Sequence, residues 1–431
     1  MKIGLIREIK DMEYRVGLTP DGVRRLTGDG HAVRVECSAG VGSGFADDDY
    51  AQSGAELVDA PVAWDSDLVV KVKEPLPAEY PYLGDQMVFT YFHLAGAAPT
   101  LTERLLERRT SAIAYETVED VAGRLPLLAP MSGVAGNMAV TMGSYYLARP
   151  SGGKGMLLGD VLGKAYGKVV VIGDGAVGLH AARVAAGMGA QLVIFGRHPE
   201  REATLQEDIK PTLRYLRPEP DVVAEQLRDA DLVVGAVLIR GGRTPHVVSE
   251  AMVKGMQPGS VIVDVSIDQG GCVETIKPTT HGDPIYTVDG VVHYCVANMP
   301  GAVPRTSTMA LTNATLPYAV EIANKGWKKA MKQNPEIKWG ANVVKGKVTY
   351  QGVAEAFGLR IAIGRLRKCT VPAFVRVFDV DHQASTTHHG LQRLGVRCNV
   401  RVGRKVMDTN PYVDIERYRY VADVGGRQDF V

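Results

Sequence analysis

The 431-residue chain carries 49 Lys plus Arg against 48 Asp plus Glu, a net charge of +1, with 45% apolar residues and 48 glycines. That length exceeds one compact core, so two or more domains are expected, and the even charge argues against a dedicated nucleic-acid binder. No apolar run of about 18 residues is present to span a bilayer, and the charged start Met1–Glu8 is not that of a signal peptide. The five cysteines show neither CxxC spacing nor disulfide density, so a cytoplasmic multi-domain protein is the expectation.

In chain order, the first third alternates short apolar runs with helical stretches. Lys2–Ile6 and His31–Glu36 read as strands around a helix at Pro20–Leu26, which Thr19-Pro20 opens. Asp67–Lys73 reads as a strand stopped by Glu74-Pro75, and Met87–Phe92 as another, with His93 at its C-terminal end. In open α/β sheets the strand C-termini face the ligand crevice, so charged residues there carry functional weight. The middle third holds solid apolar strands at Lys168–Ile172, Gln191–Phe195, Asp231–Val237 and Val261–Val265. Such runs are buried on both faces and imply a parallel sheet covered by helices. A helical stretch over 307–332 follows, which Thr306-Ser307-Thr308 is expected to cap.

Lys168–Ile172 leads into Gly173-Asp174-Gly175-Ala176-Val177-Gly178 and then a helix, the setting a dinucleotide fingerprint requires. Gly173 permits the tight turn, Gly175 lets backbone approach a pyrophosphate, and Gly178 allows close packing of helix on strand. The diphosphate would sit at a helix N-terminus, where free N–H groups favour anions. At the end of the second strand an NAD binder places Asp or Glu for the ribose hydroxyls. Here Gly196 stands in that place, followed by Arg197 and Arg201. The two arginines suit a clamp on a 2′-phosphate, which points to NADP acceptance; the other reading is two solvated surface groups.

Arg15, Lys73 and His93 are the candidates of the first third. A guanidinium grips a carboxylate bidentately, an ammonium polarises an oxygen, and histidine exchanges protons near neutral pH. Each taken singly is equally readable as a surface or core group. Asp268 follows a buried strand of the glycine-motif domain and faces its crevice, or else opens an Asx turn. Asn298 offers an amide donor and acceptor in an irregular segment. No HExxH, GxSxG or Walker motif appears, and no metal site is expected, since His382 and His388-His389 are too isolated.

With these residues in hand, the chain resembles the alanine dehydrogenase family, relatives of the transhydrogenase α subunit. The resemblance rests on Glu13-Tyr14-Arg15-Val16, Lys71-Val72-Lys73-Glu74-Pro75, Thr90-Tyr91-Phe92-His93-Leu94-Ala95 and Ala114-Tyr115-Glu116-Thr117-Val118. Leu127-Leu128-Ala129-Pro130-Met131-Ser132, Ile267-Asp268-Gln269-Gly270-Gly271 and Val296-Ala297-Asn298-Met299-Pro300 complete it. It implies an α/β fold of two Rossmann-like domains, with the dinucleotide domain (129–305) inserted into a discontinuous substrate domain (1–128 and 306–360). It further implies reversible deamination of L-alanine to pyruvate and ammonium with NAD or NADP, by a homo-hexamer. Arg15 and Lys73 would bind substrate, His93 and Asp268 would handle protons, and Ser132, Val237, Leu238, Asn298 and Met299 would line the cofactor pocket. Another amino-acid or opine dehydrogenase, or a transhydrogenase-α-like protein, is the alternative. The chain departs from the family at Gly196 and at Gly133, where a glutamate is usual.

Residues 361–431 have no counterpart in that family and hold 12 Lys/Arg against 7 Asp/Glu, while residues 1–360 hold 37 against 41. The overall +1 is therefore a mildly acidic body plus a basic extension of unknown fold. An added domain, an oligomer contact and out-of-frame translation of a gene end are all compatible with its arginine-rich composition.

Overall fold

Two mainly parallel sheets organise the computed structural model, which describes residues 1–239 and 244–362. In chain order the strands are β1 (Lys2–Leu5), β2 (Ala32–Glu36), β3 (Glu56–Val58), β4 (Leu68–Val70), β5 (Met87–Thr90) and β6 (Ser111–Ala114). A small hairpin of β7 (Asp160–Val161) and β8 (Lys164–Ala165) precedes β9 (Lys168–Ile172), β10 (Gln191–Phe195), β11 (Arg214–Leu216) and β12 (Leu232–Gly235). Then come β13 (Val261–Asp264), β14 (Ile285–Val288), β15 (Val291–Tyr294), β16 (Ala341–Val344) and β17 (Lys347–Val348). The first sheet runs β17-β16-β6-β5-β4-β1-β2-β3 and the second β11-β10-β9-β12-β13-β15-β14. Each winds outward from its first strand, then returns to that strand's other side. This doubly wound order opens a crevice at the strand C-termini, between β1 and β4 and between β9 and β12.

The strands of the second sheet follow the apolar pattern closely, because burial on both faces leaves little room for polar residues. β9 and β10 coincide with the expected Lys168–Ile172 and Gln191–Phe195, and Val169 to Val171 are fully buried. Elsewhere the elements are trimmed. β4 stops at Val70 rather than Lys73, since the backbone N–H groups of Val72 and Lys73 turn to the Glu8 carboxylate.

Five helices position the site: α1 (Pro20–Gly28), α2 (Ala129–Leu147), α3 (Ala176–Met188), α4 (Pro304–Lys325) and α5 (Trp327–Gln333). The Thr19 hydroxyl accepts the Gly22 N–H and caps α1, as its sequence suggests. Helix α3 starts at Ala176, inside the glycine motif. The helical stretch over 307–332 is in fact two helices. It begins at Pro304, ahead of the expected Thr306–Thr308 cap, because proline suits a first helical turn. It breaks at Gly326, whose φ of +70° no continuing helix adopts. Helices α2 and α4 carry the chain from the first sheet to the second and back, and they pack on one another. No helix among the described residues is long and apolar enough to cross a membrane. Residues 363–431, nearly all of the basic extension, lie outside the described residues.

Candidate active site

The glycine turn has the shape its sequence suggests. Gly173 has φ +114°, and a Cβ there would stand 2.5 Å from the Ala236 carbonyl oxygen at the end of β12. A Cβ on Gly178 would overlap the Gly173 carbonyl oxygen, so only glycine lets α3 approach the turn. Gly175, the N-cap of α3, faces open space with no atom within 4 Å of a Cβ. Bare backbone at a helix N-terminus beside open space fits a diphosphate. Val237 and the exposed Leu238 follow β12 across the same crevice. Ser132 lies half-buried in α2, whose neighbour Gly133 faces α3: a Cβ at 133 would sit 3.2 Å from His180 Nε2.

The end of β10 differs from the expected arginine clamp. Arg201 is ion-paired with Asp174, the residue between the first two motif glycines, and its Nη1 also donates to the Asp174 carbonyl at 3.2 Å. The Tyr215 hydroxyl donates to Asp174 Oδ2 at 2.9 Å and accepts the His198 N–H at 3.1 Å. Arg197 is exposed, so only Arg201 is drawn into the network. Gly196 is buried. A Cβ there would overlap the Tyr215 hydroxyl and lie 2.8 Å from the Asp174 carboxyl carbon.

A second constellation forms at the β1/β4 crevice of the first sheet. Arg15 is 2% exposed; its Nε donates to Glu13 Oε1 at 2.7 Å and its Nη2 contacts Glu13 Oε2 at 2.5 Å. Arg15 Nη2 also donates to Asn298 Oδ1 at 2.7 Å, and Asn298 Nδ2 donates to Glu13 Oε2 at 2.9 Å. Asn298, at φ +57° just past β15, thereby ties the segment after the second sheet to the first. Among the described residues, Arg15 Nη1 meets only the thioether of Met131, at 3.0 Å. Sulfur is a weak acceptor, so this edge of the guanidinium is the least satisfied. Burial alone would raise the Glu13 carboxyl, but Arg15 and Asn298 outweigh it and hold it at about 2.

Lys73 sits beside this group. Burial depresses its ammonium pKa, and the positive charges of Arg15 and Lys10 depress it further. Its backbone is pinned by Glu8, whose Oε1 accepts the N–H of Val72 at 2.6 Å and of Lys73 at 3.2 Å. Glu8 is in turn paired with fully buried Lys71 at 3.3 Å, and Lys71 with Glu79 at 2.5 Å. His93 is exposed in the left-handed region at φ +48°. The Glu116 carboxylate accepts its N–H at 2.7 Å and the Phe92 N–H at 3.2 Å, which holds this strained turn. The imidazole stacks on Tyr91, ring centroids 5.9 Å apart, and the Tyr91 phenol feels the charge of Arg15.

Arg15, Lys73, His93 and Asn298 are thus brought into one neighbourhood. Asp268 is exposed in a short 3-10 turn after β13, and among the described residues no hydrogen bond or ion pair joins it to that group. The Asx turn belongs instead to Asp264, which accepts the Ser266 N–H at 2.8 Å. Met299 is 2% exposed and packs in the core of the second sheet. Sequence reasoning overlooked Glu8, Glu13, Glu116 and Asp174; the Glu13–Arg15 spacing was the one visible signal. A cavity of about 530 Å³ lined by Trp64, Asp67, Tyr82, Met87 and Trp327 opens at the N-terminal ends of β1, β4 and β5. It lies at the wrong end of the strands for a doubly wound site. No cluster able to hold a metal occurs among the described residues.

Models of two family domains match the chain: alanine dehydrogenase/PNT, N-terminal domain, over residues 4–135, and C-terminal domain, over 139–351. Alanine dehydrogenase of Halomonas elongata is 51% identical over 362 residues, 83% of this chain and 97% of that protein. Alanine dehydrogenase 2 of Staphylococcus aureus is 51% identical over 360 residues, covering 83% and 96%. A solved L-alanine dehydrogenase superposes with TM-score 0.80 at 49% identity, covering 83% of this chain and 99% of its own. The transhydrogenase from Sinorhizobium meliloti, 22% identical, shares the fold at TM-score 0.69, covering 81% and 99%.

Proposed function

Because the chain belongs to the alanine dehydrogenase/PNT family, we propose that it catalyses the reversible oxidative deamination of L-alanine to pyruvate and ammonium. The observation that carries this reading is the buried Arg15 beside the depressed Lys73 at the β1/β4 crevice, linked through Asn298 to the dinucleotide-type domain. We assign residues 1–128 and 306–360 to substrate binding and 129–305 to the dinucleotide, NAD or NADP.

Gly173, Gly175, Gly178, Ser132, Val237, Leu238, Asn298 and Met299 would hold the cofactor, with Arg201 and Asp174 at its ribose end. When bound, the nicotinamide supplies a hydride acceptor for the α-hydrogen of the amino acid. Arg15 anchors the substrate carboxylate through Nη1, displacing the Met131 sulfur. Since Arg15 is 2% exposed, entry requires Met131 or Asn298 to give way. That couples binding to movement of the Asn298 segment and to exclusion of water. Lys73 polarises the substrate oxygen, its position fixed by Glu8. Once the substrate ammonium has released a proton to solvent, loss of hydride from Cα of the neutral amine leaves an iminium, to which water adds. His93 takes the proton of that water and later serves the collapse of the carbinolamine to pyruvate and ammonium. Asp268 stabilises the cationic nitrogen species from the opposite domain.

Self-association, a hexamer by family resemblance, is supported by the hairpin of β7 and β8. Leu162 is fully exposed at its tip, and Leu157, Val161 and Tyr166 are exposed around it. A cytoplasmic location suits the free thiols Cys37, Cys272 and Cys295. The deciding experiment is steady-state kinetics with pyruvate, glyoxylate and 2-oxobutyrate plus ammonium, using NADH and NADPH. Turnover with pyruvate and ammonium is expected. Activity only when a second amino acid replaces ammonium would instead favour an opine dehydrogenase.

A further inference from the structure

The ribose end of the dinucleotide crevice holds a carboxylate from an unexpected place. In a doubly wound nucleotide domain, the acid that binds the adenosine ribose projects from the end of the second strand. Here that position is Gly196, and it admits no side chain, since a Cβ would overlap the Tyr215 hydroxyl. The carboxyl carbon of Asp174 lies 2.8 Å from that Cβ position. A negative charge therefore stands close to where the missing side chain would begin, delivered by the glycine turn instead of by β10.

We propose that Asp174 replaces the missing strand-end acid, binding the adenosine ribose hydroxyls and setting a preference for NAD(H), with Arg201 held back from any 2′-phosphate. This rests on the reading that the glycine turn binds a nicotinamide dinucleotide. Arg201 and Tyr215 both bond to Asp174 Oδ2, which fixes the carboxylate. Oδ1 has no hydrogen-bond partner among the described residues, and the side chain is 18% exposed. An oriented acceptor at the crevice suits a ribose hydroxyl. A 2′-phosphate brought to the same place meets the carboxylate's like charge. Burial raises the Tyr215 phenol to about 12, with the Asp174 charge adding to it, so it stays a neutral donor to the carboxylate at neutral pH. Arg201 is the only arginine of the pair tied into this network. Its charge is neutralised by Asp174 as long as that carboxylate is present. The Gly196-Arg197 sequence, which by itself suggests NADP, is thus countered by a residue 22 positions upstream of Gly196.

The test is direct titration of the full-length protein with NADH and with NADPH by nicotinamide fluorescence, alongside kcat/KM for each. The wild-type protein is expected to bind NADH at least tenfold more tightly than NADPH; equal or tighter NADPH binding overturns the proposal. Asp174→Asn should weaken NADH and strengthen NADPH, moving the ratio of dissociation constants at least 30-fold. Asp174→Asn/Arg201→Ala should lose the NADPH gain, and a ratio unmoved within threefold by Asp174→Asn refutes the role of Asp174. If Asp174→Asn does not fold, the wild-type ratio still decides. Failure of the wild-type protein to bind either dinucleotide would defeat the proposed function itself. Binding of NADH without turnover of alanine would defeat the reaction and leave the Asp174 proposal standing.

Discussion

Replacing Glu13 by glutamine tests the Arg15 anchor through acid stability. Glu13 is 4% exposed, and its carboxyl sits at about 2 against an ordinary 4.5. At about 1.4 kcal/mol per pH unit, that gap makes the ionised form worth about 3 kcal/mol to the fold. Between pH 4.5 and 2 the unfolded carboxyl binds a proton and the folded one does not. The contribution is therefore complete above that window and is lost as pH falls through it. Glu13→Gln should lower stability by about 3 kcal/mol at pH 7, within the usual cost of leaving a buried cation without its partner. The assay is urea unfolding of both proteins across pH 2.5 to 7, read as the difference between them, which cancels the other carboxylates. The difference should shrink steadily below pH 4.5. Parallel curves throughout would refute the claim that Arg15 holds Glu13 ionised. The same variant should raise KM for pyruvate, because Arg15 loses its orienting partner.

Lys73→Met should abolish turnover while leaving the urea midpoint equal or higher, since it removes a desolvated cation; a drop in the midpoint would show that Lys73 is structural. His93→Ala and Asp268→Asn should abolish turnover with NADH affinity changed less than threefold, measured by fluorescence titration; an active His93→Ala enzyme would end the assignment of its role. Gly178→Ala forces a Cβ onto the Gly173 carbonyl. It should cost about 1–3 kcal/mol of stability and weaken NADH binding at least tenfold, and unchanged affinity would show that the turn does not hold the diphosphate.

The fold was legible where the physics is local. β9 and β10 read directly because strands buried on both faces are runs of Val, Ile and Leu. Gly173 and Gly178 read directly because each answers a steric requirement of its own turn. What escaped is long-range. Glu8 meets Val72 and Lys73 64 and 65 residues away, and Asn298 meets Arg15 283 residues away. Asp174 was passed over between glycines because its partners, Arg201 and Tyr215, lie 27 and 41 residues on. Gly326 divides a helical pattern whose apolar spacing continues past it, and its positive φ leaves no mark on that spacing.

The antiparallel pairing of β16 with β6 sets an order on folding during synthesis. Ala341 faces Ile113 and Val343 faces Ala112, so some 230 residues, including the entire second sheet, separate the two partners. At about 5–20 residues per second, a ribosome needs about 10–45 s to make that stretch. Throughout that interval β6, whose four residues are all buried in the finished protein, presents a bare edge to the cell. Such an edge is a template for misplaced strands. The second sheet is therefore made while the first waits half closed, and β16 acts as the seal.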